Sequence, residues 1–112
     1  MYKLFACWTA PEPEDVEAFE EHYLNIHIPK ATAVPHIERL VMTRTAEGLE
    51  GAESPFYRVA EMIFPSQQAL HESAKSPQWQ KTRVDSAEMI ERFGVSLTVS
   101  MGQEVDAPIG PA

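Results

Sequence analysis

Phe19-Glu20-Glu21-His22-Tyr23-Leu24-Asn25-Ile26-His27-Ile28-Pro29 sets two histidines and a tyrosine along an apolar helical stripe. At about 100° per residue, Val16, Phe19, Tyr23 and Ile26 share one face, and His22 and His27 flank it on opposite sides. Pro29 is expected to end this helix, because its ring lacks an N–H and collides with the turn before it. Imidazole changes charge near neutral pH, so a histidine bordering a buried stripe can act as acid, base or hydrogen-bonding anchor. The wheel separates His22 from His27 by about 140°, so a metal held by both rings is not expected, as it would be for an i, i+4 pair.

Upstream, Tyr2 to Trp8 reads as a strand that runs into the turn Thr9-Ala10-Pro11-Glu12-Pro13. Glu14, Asp15 and Glu17 then suit the positive end of a helix. Downstream, Pro29 and Pro35 predict an extended connection into a second strand over 36–45, followed by an acidic hairpin-type loop over 46–55. A third strand is expected over 56–64. Pro65-Ser66 and Ser76-Pro77 each open a helix, the second ending at Gly94. Val95, Leu97, Val99 and Met101 alternate with Ser96, Thr98 and Ser100 in a last strand. The order βαββαβ predicts an α+β fold of the ferredoxin-like kind, a four-stranded antiparallel sheet with helices on one face. The other face would be left bare, so a homodimer packed sheet to sheet, a dimeric α+β barrel, is expected. Small polar side chains such as Ser96, Thr98 and Ser100 are where pocket space could remain. One domain over 1–105 and a flexible tail over 106–112 complete the organisation.

Seventeen acidic residues against nine basic ones give a formal net charge of −8, which repels phosphate backbones and anionic lipids. Neither nucleic acid nor a membrane is an expected partner. No apolar run approaches the roughly 20 residues needed to cross a bilayer, and the first residues do not resemble a signal peptide, so a cytoplasmic location is expected. Cys7 is the single cysteine and reads as a packed strand residue. No glycine-rich phosphate loop, nucleophile elbow or metal-ligand spacing occurs, and no cofactor is expected.

The candidate catalytic residues are His27, His22 and Tyr23. His27 lies near the helix end, where solvent could reach a pocket; the alternative is a histidine that caps the last carbonyls. Tyr23 can be core, although its four-residue offset lets it cooperate with His27. Trp8, His36, Tyr57, Glu61 and Trp79 are the candidate substrate-binding residues. Glu61 shares a strand face with Tyr57, Val59 and Ile63, where a carboxylate needs a raised pKa or a partner such as Arg39 or Arg44. Arg58 faces the other way and reads as a sheet-surface charge, and His71 as exposed. Both tryptophans could wall an apolar ligand site or pack in the core.

Tyr2-Lys3-Leu4-Phe5, the element Phe19-x-x-His22-Tyr23-x-x-x-His27-x-Pro29 and the strand entry Val34-Pro35-His36-Ile37-Glu38-Arg39 together resemble the EthD-type family of dimeric α+β-barrel proteins, over roughly residues 1 to 105. The resemblance implies a homodimer with a pocket near His22, Tyr23 and His27. The wider superfamily includes cofactor-free monooxygenases, decarboxylases, lactone isomerases and haem-binding enzymes. The expectation is a small enzyme that acts on an apolar, aromatic or polyketide-like molecule by histidine-assisted proton transfer. The alternative is a non-catalytic dimeric binding or accessory protein for a hydrophobic small molecule.

Overall fold

The computed structural model describes residues 1–111; Ala112, the last residue of the expected flexible tail, lies outside them. Four strands, β1 (Tyr2–Trp8), β2 (Arg39–Arg44), β3 (Arg58–Phe64) and β4 (Leu97–Gln103), form one antiparallel sheet in the order β2-β3-β1-β4. Helices α1 (Val16–His22), α2 (Ile28–Thr32), α3 (Gln67–Ser73) and α4 (Pro77–Phe93) complete the ferredoxin-like βαββαβ arrangement.

Local chemistry explains the helix ends. Ser66 Oγ accepts from the Ala69 N–H at 3.1 Å and Ser76 Oγ from the Trp79 N–H at 3.1 Å, which satisfies a free donor at the start of α3 and of α4. Pro77 occupies the first turn of α4, where no N–H is required. Gly94 stops α4 at φ 65°, a left-handed conformation that only glycine adopts without strain.

The first helix differs from its sequence reading. Pro29 does not terminate it: α1 passes through a π-helical turn, Tyr23–His27, and continues as α2 beyond the proline to Thr32. In that turn the Ile28 N–H reaches back five residues to the Tyr23 carbonyl. A proline inside an α-helix collides with the carbonyl four residues earlier; the wider turn just before Pro29 gives its ring room.

Two core clusters lie between the helices and the sheet. Trp8, Phe19, Tyr23, Met89 and Phe93 belong to one, and Leu4, Met62, Phe64 and Leu70 to the other. The register places Tyr2, Leu4, Ala6 and Trp8 of β1 on the helix side with Arg58, Ala60, Met62 and Phe64 of β3. Lys3, Phe5, Cys7, Val59, Glu61 and Ile63 therefore face the open side. Alternation had given both faces of β3 in sequence; packing decides which is covered. Arg58 is consequently no surface charge: it is 8% exposed, and its guanidinium donates to both carboxylate oxygens of Glu20 on α1.

Candidate functional site

Two histidines and an aspartate meet where the π turn packs on α4. Asp85, 2% exposed, receives both imidazoles: His22 Nε2 lies 3.0 Å from Oδ1, and His27 Nδ1 lies 2.8 Å from Oδ2. An ionised carboxylate only accepts, so both ring nitrogens carry the proton and donate it. The expectation that the two rings diverge is thus corrected. The π turn absorbs one residue, and with it about 100° of rotation, so a five-residue spacing behaves as the four-residue one that places both side chains on the same face. Both facing nitrogens are spent on Asp85, and among the described residues no group of three His, Cys, Asp or Glu side chains is placed to hold a metal ion.

Asp85 was missed in the sequence because its partners lie 58 and 63 residues away. Its signal was nonetheless present. Asp85, Met89 and Phe93 follow the i, i+4, i+8 stripe of α4, and all three are buried. A carboxylate in such a stripe requires donors, the same argument that singled out Glu61.

His27 is 6% exposed and sits on the wall of a cavity of ≈ 410 Å³ between sheet and helices. Its Nε2, the nitrogen away from Asp85, makes no hydrogen bond among the described residues. Trp8 meets the ring edge-on at 5.6 Å and Tyr23 stacks on it at 5.9 Å, which fixes its orientation. The cavity floor is Leu4, Ala6 and Trp8 with Ala60 and Met62; Trp79 and Ile90 of α4 close the other side. Trp8, Tyr23, His27 and Trp79 thus line one space, and His22 supports it from behind Asp85.

Burial pushes the His27 pKa below the ordinary imidazole value, against the upward pull of the Asp85 hydrogen bond and charge; His22 and Lys30 add to the lowering. The ring is neutral at pH 7, with Nδ1–H fixed on Asp85 and a lone pair on Nε2. Burial also pushes the Tyr23 hydroxyl up to about 12, so it keeps its proton. That hydroxyl is buried and has no hydrogen-bond partner. Because the unfolded chain binds a proton near pH 6.5 that the folded chain refuses, the contribution of His27 to stability is complete above that pH. It is lost as pH falls towards the lowered folded value. Urea unfolding between pH 7.5 and 5 should show this decline in wild type and a flatter profile in His27→Gln; parallel profiles would refute the assignment.

The other candidates lie elsewhere. His36 is half-exposed at φ 68° with Nε2 3.3 Å from Glu72, and does not line the cavity. Tyr57 packs against Phe19 at 5.8 Å, with the Arg44 guanidinium 5.1 Å from its ring, also outside the cavity. Glu61 is on the open sheet face, paired at 3.1 Å with Lys3 on the adjacent diagonal of β1 rather than with Arg39 or Arg44. Ser100 and Thr98 share that open face, so the β4 side chains that line the cavity are Leu97 and Val99. Cys7 is there too, its thiol pKa pushed up by burial, which disfavours the nucleophilic thiolate.

An antiparallel ferredoxin-like sheet roofed by helices, with an Asp-anchored histidine on the wall of an apolar cavity, defines a small α+β protein with an internal ligand-sized space. The chain belongs to the EthD family, whose domain matches residues 11–92. An uncharacterised 11.0 kDa protein from the thcB-thcC intergenic region of Rhodococcus erythropolis is 29% identical over 75 residues, which cover 67% of this chain and 72% of that one. The crystal structure of an ethyl tert-butyl ether D (EthD) family protein from Bacillus halodurans superposes with a TM-score of 0.81 at 28% identity, covering 94% of this chain and 99% of that one. A dimeric ferredoxin-like protein of unknown function from Thermobifida fusca shares the fold at a TM-score of 0.56 and 12% identity, over 90% of this chain and 88% of that one. No helix among the described residues is long and apolar enough to cross a membrane.

Proposed function

We infer that this chain is a small enzyme that encloses an apolar, aromatic-type molecule in the cavity and moves a proton at Nε2 of His27. The observation that carries this reading is that His27 pairs its Nδ1 with buried Asp85 at 2.8 Å, leaves Nε2 without a hydrogen bond among the described residues, and is one of the residues lining the cavity. A carboxylate on Nδ1–H holds one tautomer, keeps the Nε2 lone pair available and stabilises the imidazolium formed when a proton is taken. His22 gives Asp85 a second donor, so that both carboxylate oxygens are hydrogen-bonded in a buried place. Oxygenation, decarboxylation and isomerisation of a carbon acid all include such a proton transfer. A cavity of this size accommodates a molecule of one or two aromatic rings, with Trp8 and Trp79 supplying apolar wall.

The chain is further proposed to act as a homodimer closed over the open sheet face, where Phe5, Val41, Val59 and Ile63 surround the Lys3-paired Glu61. The Thermobifida neighbour is dimeric.

Benzoylacetone, an aromatic 1,3-dicarbonyl, is a suitable probe. His27 takes a proton from its C2, the electron pair moves onto the carbonyl oxygens, and return of a deuteron from heavy water labels the carbon. Wild type should accelerate this exchange over buffer. His27→Gln, which still reaches Asp85 through an N–H, should lose on the order of 10²–10⁴ of that acceleration while remaining dimeric by light scattering. Equal exchange by the variant would remove His27 from the chemistry. The predominantly apolar wall favours the second reading, a binding protein; saturable binding of benzoylacetone without exchange would establish it instead.

A further inference from the structure

Among the described residues, Arg83 is the one side chain lining the cavity that carries a formal charge at neutral pH. It is exposed, so it stands at the opening, next to Thr82 and Ser86 on the same side of α4. Those hydroxyls donate back to the Gln78 and Thr82 carbonyls, which leaves their oxygens free to accept only. Among the described residues Arg83 has no anionic partner. Its helical neighbours at three and four residues are Trp79, Gln80, Ser86 and Ala87, none of them a carboxylate. The ion pairs among the described residues engage Lys3, Arg44 and Arg58, and not Arg83. In a chain with 17 acidic residues and 9 basic ones, an unpaired guanidinium at the mouth of an apolar cavity is a conspicuous placement.

Asp85 does not neutralise it. Two residues at about 100° each set the two side chains roughly 200° apart around α4. Asp85 turns towards His22 and His27, and Arg83 to the other flank of the cavity. The two basic side chains of the wall, His27 and Arg83, therefore stand at different edges of a largely apolar space.

Taking the cavity as the ligand site, on which this rests, we propose that the ligand is an apolar carboxylate whose anionic end is held at the opening by Arg83 while its apolar body lies inside towards His27. A guanidinium presents two parallel N–H donors that match a carboxylate. Arg83 thus selects anionic ligands over neutral ones of the same shape.

The test compares 2-naphthoate with its neutral, nearly isosteric relative 2-naphthamide by calorimetry. Wild type should bind the naphthoate about five- to tenfold more tightly. Arg83→Gln should lose that preference with little change for the amide, and Arg83→Lys, which keeps the charge, should retain most of it. An unaltered preference in Arg83→Gln, or equal affinity for both probes in wild type, overturns the assignment of Arg83 and leaves the cavity reading standing. Ala87→Trp, at an exposed lining position, should block both probes in a protein with the wild-type circular dichroism spectrum. Binding of neither probe to wild type, or unchanged binding of both to Ala87→Trp, overturns the cavity reading and this proposal with it.

Discussion

Asp85→Asn should abolish most of the proposed proton transfer at His27 while leaving the fold in place. An amide offers one acceptor oxygen where the carboxylate offered two, and its NH₂ group must face one of the imidazoles. If that imidazole is His27, Nδ1 has to accept, the ring proton moves to Nε2, and the lone pair that the cavity requires disappears. Where a carboxylate fixes a catalytic histidine in this way, the same change lowers turnover by about 10⁴. A loss of roughly 10³–10⁴ in benzoylacetone exchange is expected, with a stability cost of about 1–3 kcal/mol for the mismatched buried donors. Asp85→Ala leaves both imidazole N–H groups unpaired and should be the less stable of the two. Nitrogen chemical shifts of the His27 ring provide a readout independent of turnover: they should report the Nδ1–H tautomer in wild type and Nε2–H in Asp85→Asn. Unchanged shifts together with unchanged exchange in both Asp85→Asn and Asp85→Ala would remove Asp85 as a positioning residue.

Glu20→Ala should be strongly destabilising, on a par with truncating a buried core aromatic. Glu20 accepts both hydrogen bonds from Arg58, and a second cation, Arg44, lies 3.8 Å from it. Burial works to raise the Glu20 pKa, but the Arg58 hydrogen bond and charge outweigh it and hold the carboxyl below its ordinary range. Without Glu20, the Arg58 guanidinium stays buried with no counter-ion, a situation that costs about 3–5 kcal/mol. For a domain of this size the melting temperature should fall by more than about 10 °C. The loss also reaches the site, because Arg58 lies 5.2 Å from the centroid of the Tyr23 ring, which itself stacks on His27. Glu20→Leu combined with Arg58→Met replaces the pair by apolar groups and should recover most of the stability. Thermal melts decide the matter; a Glu20→Ala variant within 1 °C of wild type would show that water reaches Arg58 and screens it. Because the Glu20 pKa is depressed, its contribution is complete above the unfolded value near pH 4.3 and declines as pH falls through the folded one.

Much of the fold was legible in the chain. The strand β1, the serine-capped starts of α3 and α4, the glycine stop at Gly94 and the βαββαβ order all follow from short-range chemistry, in which a residue and its neighbours within about four positions settle the backbone. His27, Tyr23, Trp8 and Trp79 could be marked as candidates because each is unusual in its local stripe. Three readings failed for a common reason. Pro29, Arg58 and the divergence of His22 from His27 were all judged by ideal periodicity, and each depends on a contact or a distortion that periodicity omits. Alternation set Glu61 and Arg58 on opposite faces of β3, and only the packing of α1 shows that the face with Arg58 is the covered one.

The sequence by itself determined the elements, their order and the apolar stripe that carries the two histidines, since these rest on propensities and on spacing along one chain. Tertiary structure alone decided what the histidines do. A π turn brought them round to one side, and α4, some 60 residues later, supplied the buried carboxylate they share. A charged group can stay in such a place only when donors from distant segments arrive together, and that coincidence in space is not written in the spacing of any single helix.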